Sequence, residues 1–286
     1  MKNMANDYKY HTHINSEKKW FELNLKEVWK YRDLIVLFTK RNFTVTYKQT
    51  VLGPLWLFIN PFITSIMYTL IFGNIAKIDT DGIPHFLFYL VSNAMWVFFA
   101  NNINNNAYTF IWNASMFGKV YFPRLTVPVS NVLSGMIRFF IQMIMVGGFL
   151  AYYVCVGTVS PNWMAWLLIP AVLIHLGVFG MAIGIIVSSL TTKYRDLSFL
   201  VAYGVQLWMY GTPIVYPLSQ IGDGILKKIV LINPVTMPVE VFRYAVLGKG
   251  NIILEYLVLS WIITIISILF GIMLFNRVEK TFMDTV

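Results

Sequence analysis

Six asparagines, together with Trp96, Tyr108 and Trp112, interrupt the apolar stretch between residues 93 and 112. At about 100° per residue, Asn93, Asn101, Asn104 and Tyr108 share one helix face about 80° wide. Amides can exchange hydrogen bonds with sugar hydroxyls, and aromatic rings can stack on sugar faces. One interpretation is a water-filled path lined by these residues and Trp96. The other is that the asparagines join neighbouring helices.

A second polar and aromatic face occurs later in the chain, where Tyr203, Gln206 and Tyr210 recur at helical spacing. These residues can extend the same lined path. Tyrosines also anchor helices at the membrane interface, and that role explains Tyr210 equally well. Both interpretations stay open for this face.

Several kinds of chemistry are excluded by their missing motifs. Gly118-Lys119 and Gly248-Lys249 lack the glycine spacing and the following Ser or Thr of a phosphate-binding loop, so the chain cannot hydrolyse ATP alone. Cys155 is the only cysteine, which excludes an internal disulfide and a cysteine metal cluster. Carboxylates are nearly absent from the apolar runs, which weakens a proton-relay mechanism. We therefore predict no catalytic residue, no metal site and no cofactor bound by this chain.

The elements that must position these side chains are membrane helices, because 57% of the 286 residues are hydrophobic and only 12% are charged. Six apolar runs are long enough to cross about 30 Å of hydrocarbon. We place them at about 55–76, 86–111, 130–156, 164–190, 197–216 and 256–275. The predicted fold is therefore an all-α polytopic membrane protein with six transmembrane helices. Residues 55–286 form the predicted membrane domain.

The positive charges predict the orientation of these spans. In an alternating six-span arrangement, sixteen of the 22 Lys and Arg lie on one side and five on the other. The positive-inside rule then places both termini in the cytoplasm of a bacterial cell. Arg138 lies inside a span, where it can reach the headgroups or contact a charged substrate. The net charge of +9 reflects this topology, so we expect no nucleic-acid partner.

Three segments outside the spans have their own predicted roles. Residues 1–19 read as a disordered tail, and residues 20–54 as an amphipathic helix on the cytoplasmic face. Residues 217–250 are too apolar for a free loop, yet their pieces are too short to span, which favours re-entrant or interfacial helices on the external side. Residues 114–125 form a short connector that is both basic and apolar, as expected of a docking element.

These segments together resemble the permease subunits of bacterial ABC-2 type exporters of lipid-linked polysaccharide, such as O-antigen, capsule or teichoic-acid precursors. The resemblance covers nearly all of residues 20–250. It rests on motifs in a fixed order: Tyr31-Arg32-Asp33-Leu34, the run from Tyr47 to Trp56, Lys119 to Leu125, Lys193-Tyr194-Arg195-Asp196, Pro213 to Pro217, Asn233-Pro234 and Phe242-Arg243.

The resemblance implies a homodimer bound to two copies of a separate ATPase, which would hold ATP and magnesium. The connector would be a coupling helix that docks on the ATPase through Lys119, Tyr121, Phe122, Pro123 and Arg124. A lateral gate for the lipid diphosphate would carry Arg32, Lys40, Arg41, Tyr47 and Lys48, since basic groups at headgroup level suit a diphosphate.

Two departures from the family pattern alter this gate. Many relatives have Arg-Asp where this chain has Arg41-Asn42, and a basic residue where this chain has Thr46. Many also have an acidic residue near Arg138. The competing functions are export of a smaller amphiphile, such as a drug or lipid, and a pore or secondary transporter that needs no partner.

Overall fold

The structure is a computed structural model that describes residues 25–48, 50–192, 194 and 197–285. Regular structure in these residues is entirely helical, which confirms the predicted all-α class. The predicted tail at 1–19 lies outside the described residues. The α-helices are α1 (Leu25–Lys30), α2 (Arg32–Tyr47), α3 (Trp56–Tyr68), α4 (His85–Ala107), α5 (Thr109–Phe117), α6 (Thr126–Cys155), α7 (Ile169–Thr191), α8 (Leu197–Tyr210), α9 (Ile225–Ile232), α10 (Thr236–Leu247) and α11 (Leu254–Thr285).

Within the described residues, five helical segments are long and apolar enough to cross a membrane. They agree closely with five of the six predicted spans: Gly53–Ile75, His85–Ala107, Thr126–Cys155, Ala165–Thr191 and Leu254–Glu279. The first of them combines a short 3-10 turn, α3 and a π-helical stretch at Thr69–Ile75.

The remaining apolar run, at 197–216, forms a shorter helix than predicted. Its 14 residues make α8 only about 21 Å long, less than the thickness of the hydrocarbon layer. Pro213 explains why the helix stops, because the ring disfavours helical backbone at Thr212 and supplies no N–H. The count of six spans stays a prediction.

Helix α4 is the centre of the bundle. In its most apolar 18-residue segment 78% of the residues are buried, whereas only 11% are buried in the corresponding segment of the first span. It packs against α3, α6, α7 and α8, and α7 packs in turn against α11. Close approach of α4 and α7 depends on glycine. A Cβ on Gly180 would lie 2.8 Å from the Asn102 Cβ, and one on Gly184 only 2.4 Å from the Asn106 Cβ. Gly180 and Gly184 thus form part of a packing face of α7 within the subunit.

The amphipathic N-terminal stretch is divided at Tyr31 into α1 and α2. Helix α2 packs along the first half of α6, where the Thr39 hydroxyl donates to the Ser130 carbonyl at 3.4 Å. The Asn42 amide donates to the Asn131 side-chain oxygen at 2.9 Å. Further along α2, Thr46 and Tyr47 line a cavity together with Arg138 of α6, so the contacts advance along both helices and α2 runs beside α6 in the same direction. Its far end, at Tyr47, therefore lies level with the middle of α6.

The predicted re-entrant segment contains two short helices, α9 and α10. At about 12 Å and 18 Å, neither can span a membrane. Helix α10 is almost fully buried and holds an ion pair in which Arg243 Nη1 donates to Glu240 Oε1 at 2.6 Å. The same guanidinium donates to the Ser92 hydroxyl and to the Pro213 carbonyl. These contacts tie α10 to α4 and to the turn that follows α8. The re-entrant path itself stays a prediction.

Candidate functional site

Two adjoining cavities lie between the N-terminal helix α2 and the bundle, and together we call them the Arg138 groove. The first has a volume of about 390 Å³ and is lined from α2, α3, α4 and α6. The second has a volume of about 450 Å³ and is lined from α2, α4, α5 and α6. Thr46 and Arg138 line both cavities, so the two meet at these side chains.

The wall of the groove is rich in side-chain amides. Helices α2 to α6 each contribute at least one of them: Asn42, Asn60, Asn101, Asn105, Asn113, Asn131 and Gln142. Apolar side chains complete the first cavity, namely Trp56, Leu57, Pro61, Val97, Phe98 and Phe139. The groove therefore combines hydrogen-bonding groups with an apolar wall.

Part of this amide wall is a hydrogen-bonded chain that fixes the helices. Asn131 receives a hydrogen bond from Asn42 at 2.9 Å and donates to the Asn106 side-chain oxygen at 3.1 Å. Asn106 donates to the Asn102 carbonyl of its own helix at 2.8 Å, and Asn102 donates to the Phe98 carbonyl at 2.9 Å. Asn106 of α4 is thus joined to α6 and, through Asn131, to α2, whereas Asn102 bonds within its own helix.

Arg138 is the cation that both cavities of this groove share. It is half-buried on α6, about 18 Å along the axis from Thr126. In the described part of the chain no carboxylate pairs with it, and its Nε has no hydrogen-bond partner. Burial raises the pKa of the nearby Tyr47 phenol, and the positive charge of Arg138 opposes that shift.

The residues predicted for the lipid-diphosphate gate divide into two groups. Arg41 and Tyr47 line the groove, and the Arg41 guanidinium also lies over the Phe38 ring at 4.8 Å. Arg32, Lys40 and Lys48 are exposed on α2 and line neither cavity. The structure therefore places two of the five predicted residues in the wall of the Arg138 groove, and the gate role stays a prediction.

The residues predicted to line a glycan path are also separated. Asn93 and Trp96 are buried within the subunit, Asn101 lines the groove, and Asn104 is half-buried. Tyr108 is half-buried and stacks on Trp112 with 4.6 Å between ring centroids.

The predicted polar and aromatic face on α8 is more exposed than the one on α4. Tyr203, Gln206 and Tyr210 are exposed together on α8. The α4 and α8 groups therefore do not form one continuous lining within a single subunit, and their lining role stays a prediction.

The connector between α5 and α6 has an exposed side. Helix α5 ends at Phe117, so the predicted helix at 114–125 is helical only in its first part. The exposed fractions of Val120 and Tyr121 are 60% and 61%, and Lys119 is exposed beside them. Apolar and basic side chains are thus presented together, as a docking surface requires.

The other side of the connector is anchored in the bundle. Phe122 is 5% exposed and packs against Phe38 of α2 at 5.6 Å and Phe117 of α5 at 5.7 Å between ring centroids. Arg124 Nη1 donates to the Glu279 carbonyl of α11 at 2.7 Å. Pro123 is buried as well. Phe122 and Arg124 thus hold the connector to α2, α5 and α11 on its buried side.

Sequence reasoning did not select Asn60 or Gln142 for a site. Gln142 follows Arg138 by one helical turn and is 6% exposed, and its Nε2 has no hydrogen-bond partner among the described residues. The i, i+4 spacing of an arginine and a glutamine within an apolar run was the available signal. Asn60 gives no comparable signal, because its helix is otherwise a plain apolar span.

Comparison with known proteins agrees with this architecture. Residues 33–247 match the family model described as ABC-2 type transporter. Two O-antigen export system permease proteins RfbA of Klebsiella pneumoniae are 29% and 30% identical over 253 residues, which is 88% of this chain and 94% of each relative. The RfbA permease of Myxococcus xanthus is 27% identical over 213 residues, 73% of this chain and 78% of the relative. The chain is a multi-pass membrane protein that belongs to the ABC-2 type transporter family.

Proposed function

We propose that this chain is the membrane permease of an ABC exporter that moves a lipid-linked polysaccharide of the O-antigen type across the bacterial cytoplasmic membrane. The observation that carries the proposal is the similarity to O-antigen export permeases along 88% of the chain. The Arg138 groove supports it, since cationic and amide groups beside an apolar wall suit a ligand with a polar head and a hydrocarbon tail.

The energy for transport comes, in this proposal, from ATP and magnesium bound by two copies of a separate ATPase subunit. The exposed apolar and basic side of the connector supports such a partner, because Val120 and Tyr121 gain from burial against another protein. Movement of the ATPase would pass through Phe122 and Arg124 into α2, α5 and α11. Both termini would lie in the cytoplasm.

A homodimer would complete the transport path. Helix α8 exposes Tyr203, Gln206, Leu207 and Tyr210 on its outer face. The first span is also largely exposed, since only 11% of its most apolar 18-residue segment is buried. A second copy placed against these surfaces would bring two aromatic faces together. The predicted glycan lining would then form between subunits. Asn93 and Trp96 would support the helices behind it.

The proposal is tested by deleting the coding region in the native cell. We expect surface polysaccharide to be lost and lipid-linked polysaccharide to accumulate inside the cell, with both effects reversed by a plasmid-borne copy. Surface polysaccharide would be measured by gel and antibody staining, and the lipid-linked form by extraction after removal of surface material. Normal surface polysaccharide in the deletion strain would refute the proposal.

A further inference from the structure

The starting observation is that the donors in the first cavity of the Arg138 groove are incompletely satisfied. Arg138 Nε and Gln142 Nε2 are buried atoms without a hydrogen-bond partner among the described residues. The two residues are one turn apart on α6 and line the same cavity. Buried donors are rarely left unpaired in native proteins, which points to a ligand that supplies acceptors at this place.

The charge of the lining favours an anion. Arg138 lines both cavities and Arg41 lines the second, whereas neither lining contains an Asp or Glu. A membrane-embedded arginine is normally paired or functional, since leaving its charge unpaired in a poorly solvated site is unfavourable. Phosphate oxygens accept several charge-assisted hydrogen bonds and suit a guanidinium in particular.

The surrounding wall favours an anion that is attached to a hydrocarbon chain. Leu57 and Trp56 of the first span, with Phe98 and Phe139 behind them, line the same cavity as Arg138. Trp56 is 40% exposed on the outside of the subunit, so the apolar side of the cavity reaches the region where lipid lies. A free anion would gain nothing from this wall, while a lipid chain would be buried against it.

We propose that Arg138 and Gln142 form the binding site for the diphosphate of the lipid carrier, with the hydrocarbon chain leaving past Trp56 and Leu57. This site lies deeper than the exposed basic residues of α2. Arg41 at the other end of the groove would receive the diphosphate first, and Arg138 would then hold it. The inference rests on the proposed function, because it identifies the part of the substrate that this groove recognises.

Binding of defined lipids to the purified full-length chain in nanodiscs tests the site. The probes are a polyprenyl diphosphate, the matching uncharged polyprenol, phosphatidylglycerol and inorganic pyrophosphate. The variants are Arg138→Gln, Arg138→Lys and Gln142→Leu. Arg277→Gln serves as the control, since it removes the same charge from an exposed position on α11. Bound lipid would be quantified by native mass spectrometry, with thermal midpoints confirming that each variant is folded.

We expect Arg138→Gln to weaken polyprenyl diphosphate binding about tenfold or more, because one charge-assisted contact is lost. Arg138→Lys and Gln142→Leu should each weaken it about threefold, and Arg277→Gln should leave it unchanged. Polyprenol binding should be the same in all variants, and inorganic pyrophosphate should compete only weakly.

Three results would overturn the site. The first is unchanged diphosphate-lipid binding by a folded Arg138→Gln variant. The second is an equal loss for phosphatidylglycerol, which would mean a general anionic-lipid site. The third is competition by inorganic pyrophosphate as strong as that of the lipid. Each would leave the export function intact, since that function is tested separately by the deletion strain and would fail there through normal surface polysaccharide.

Discussion

The buried ion pair of α10 predicts a large and specific loss of stability when one partner is removed. Arg243 and Glu240 side chains are 3% and 1% exposed, so neither charge is compensated by water. Arg243→Met would leave the Glu240 carboxylate without its cation and the Ser92 hydroxyl and Pro213 carbonyl without their shared donor. Breaking a buried pair in this way costs about 3–5 kcal/mol.

A second change separates the charge effect from packing. Glu240 Oε2 accepts a hydrogen bond from the Asn251 backbone N–H at 2.8 Å, and glutamine at position 240 keeps an acceptor there. The double variant Glu240→Gln/Arg243→Met therefore removes the stranded charge without stranding the Asn251 donor. We expect it to recover about 2 kcal/mol relative to Arg243→Met alone.

Thermal unfolding of the detergent-purified protein, followed by size-exclusion chromatography of the remaining folded fraction, measures both effects. Arg243→Met should lower the midpoint by at least about 6 °C, and the double variant should lie between it and the wild type. Two results would show that the stranded charge is not the source of the instability: a midpoint within about 2 °C of wild type for Arg243→Met, or a double variant less stable than the single one.

Two further predictions concern the packing of the bundle and the connector. Gly184→Ala should destabilise the protein by about 1–3 kcal/mol because the new Cβ would lie 2.4 Å from the Asn106 Cβ, whereas Gly147→Ala, with open space around it, should be neutral or slightly stabilising in the same thermal assay. Phe122→Ala should cost about 3–5 kcal/mol through lost burial. Val120→Glu should leave the thermal midpoint unchanged and reduce capture of the ATPase subunit in a pull-down. Equal thermal midpoints for both glycine variants, or full ATPase capture by Val120→Glu, would contradict these explanations.

Hydropathy predicted the membrane helices well because each long run carries its own signal. The run predicted at 164–190 is observed as Ala165–Thr191, and the one at 130–156 as Thr126–Cys155. The run at 197–216 was overestimated, since its apolar residues continue past Tyr210 although Pro213 prevents the helix from continuing. Hydropathy counts apolar residues and does not register that backbone restriction.

The site was harder to predict, because periodicity tells which residues share a face and not what that face meets. Asn93 and Asn101 share a helix face, yet Asn93 is buried in the bundle and Asn101 lines the groove. Phe122 and Tyr121 are neighbours in one connector, but only tertiary packing puts the first inside and the second outside. The groove itself depends on α2 lying along α6, a long-range contact with no sequence signature.

ATP-coupled export is tested most directly by translocation in proteoliposomes that contain this chain and its partner ATPase, with a labelled lipid-linked polysaccharide as substrate. ATP-coupled export predicts that the label becomes accessible on the opposite side of the membrane only when ATP is hydrolysed. The proposed Arg138 site also predicts that an Arg138→Gln variant, folded and bound to the ATPase, translocates much more slowly than wild type. Translocation without the ATPase, or none with the complete assembly and ATP, would show that this chain is not an ATP-driven exporter of the polysaccharide.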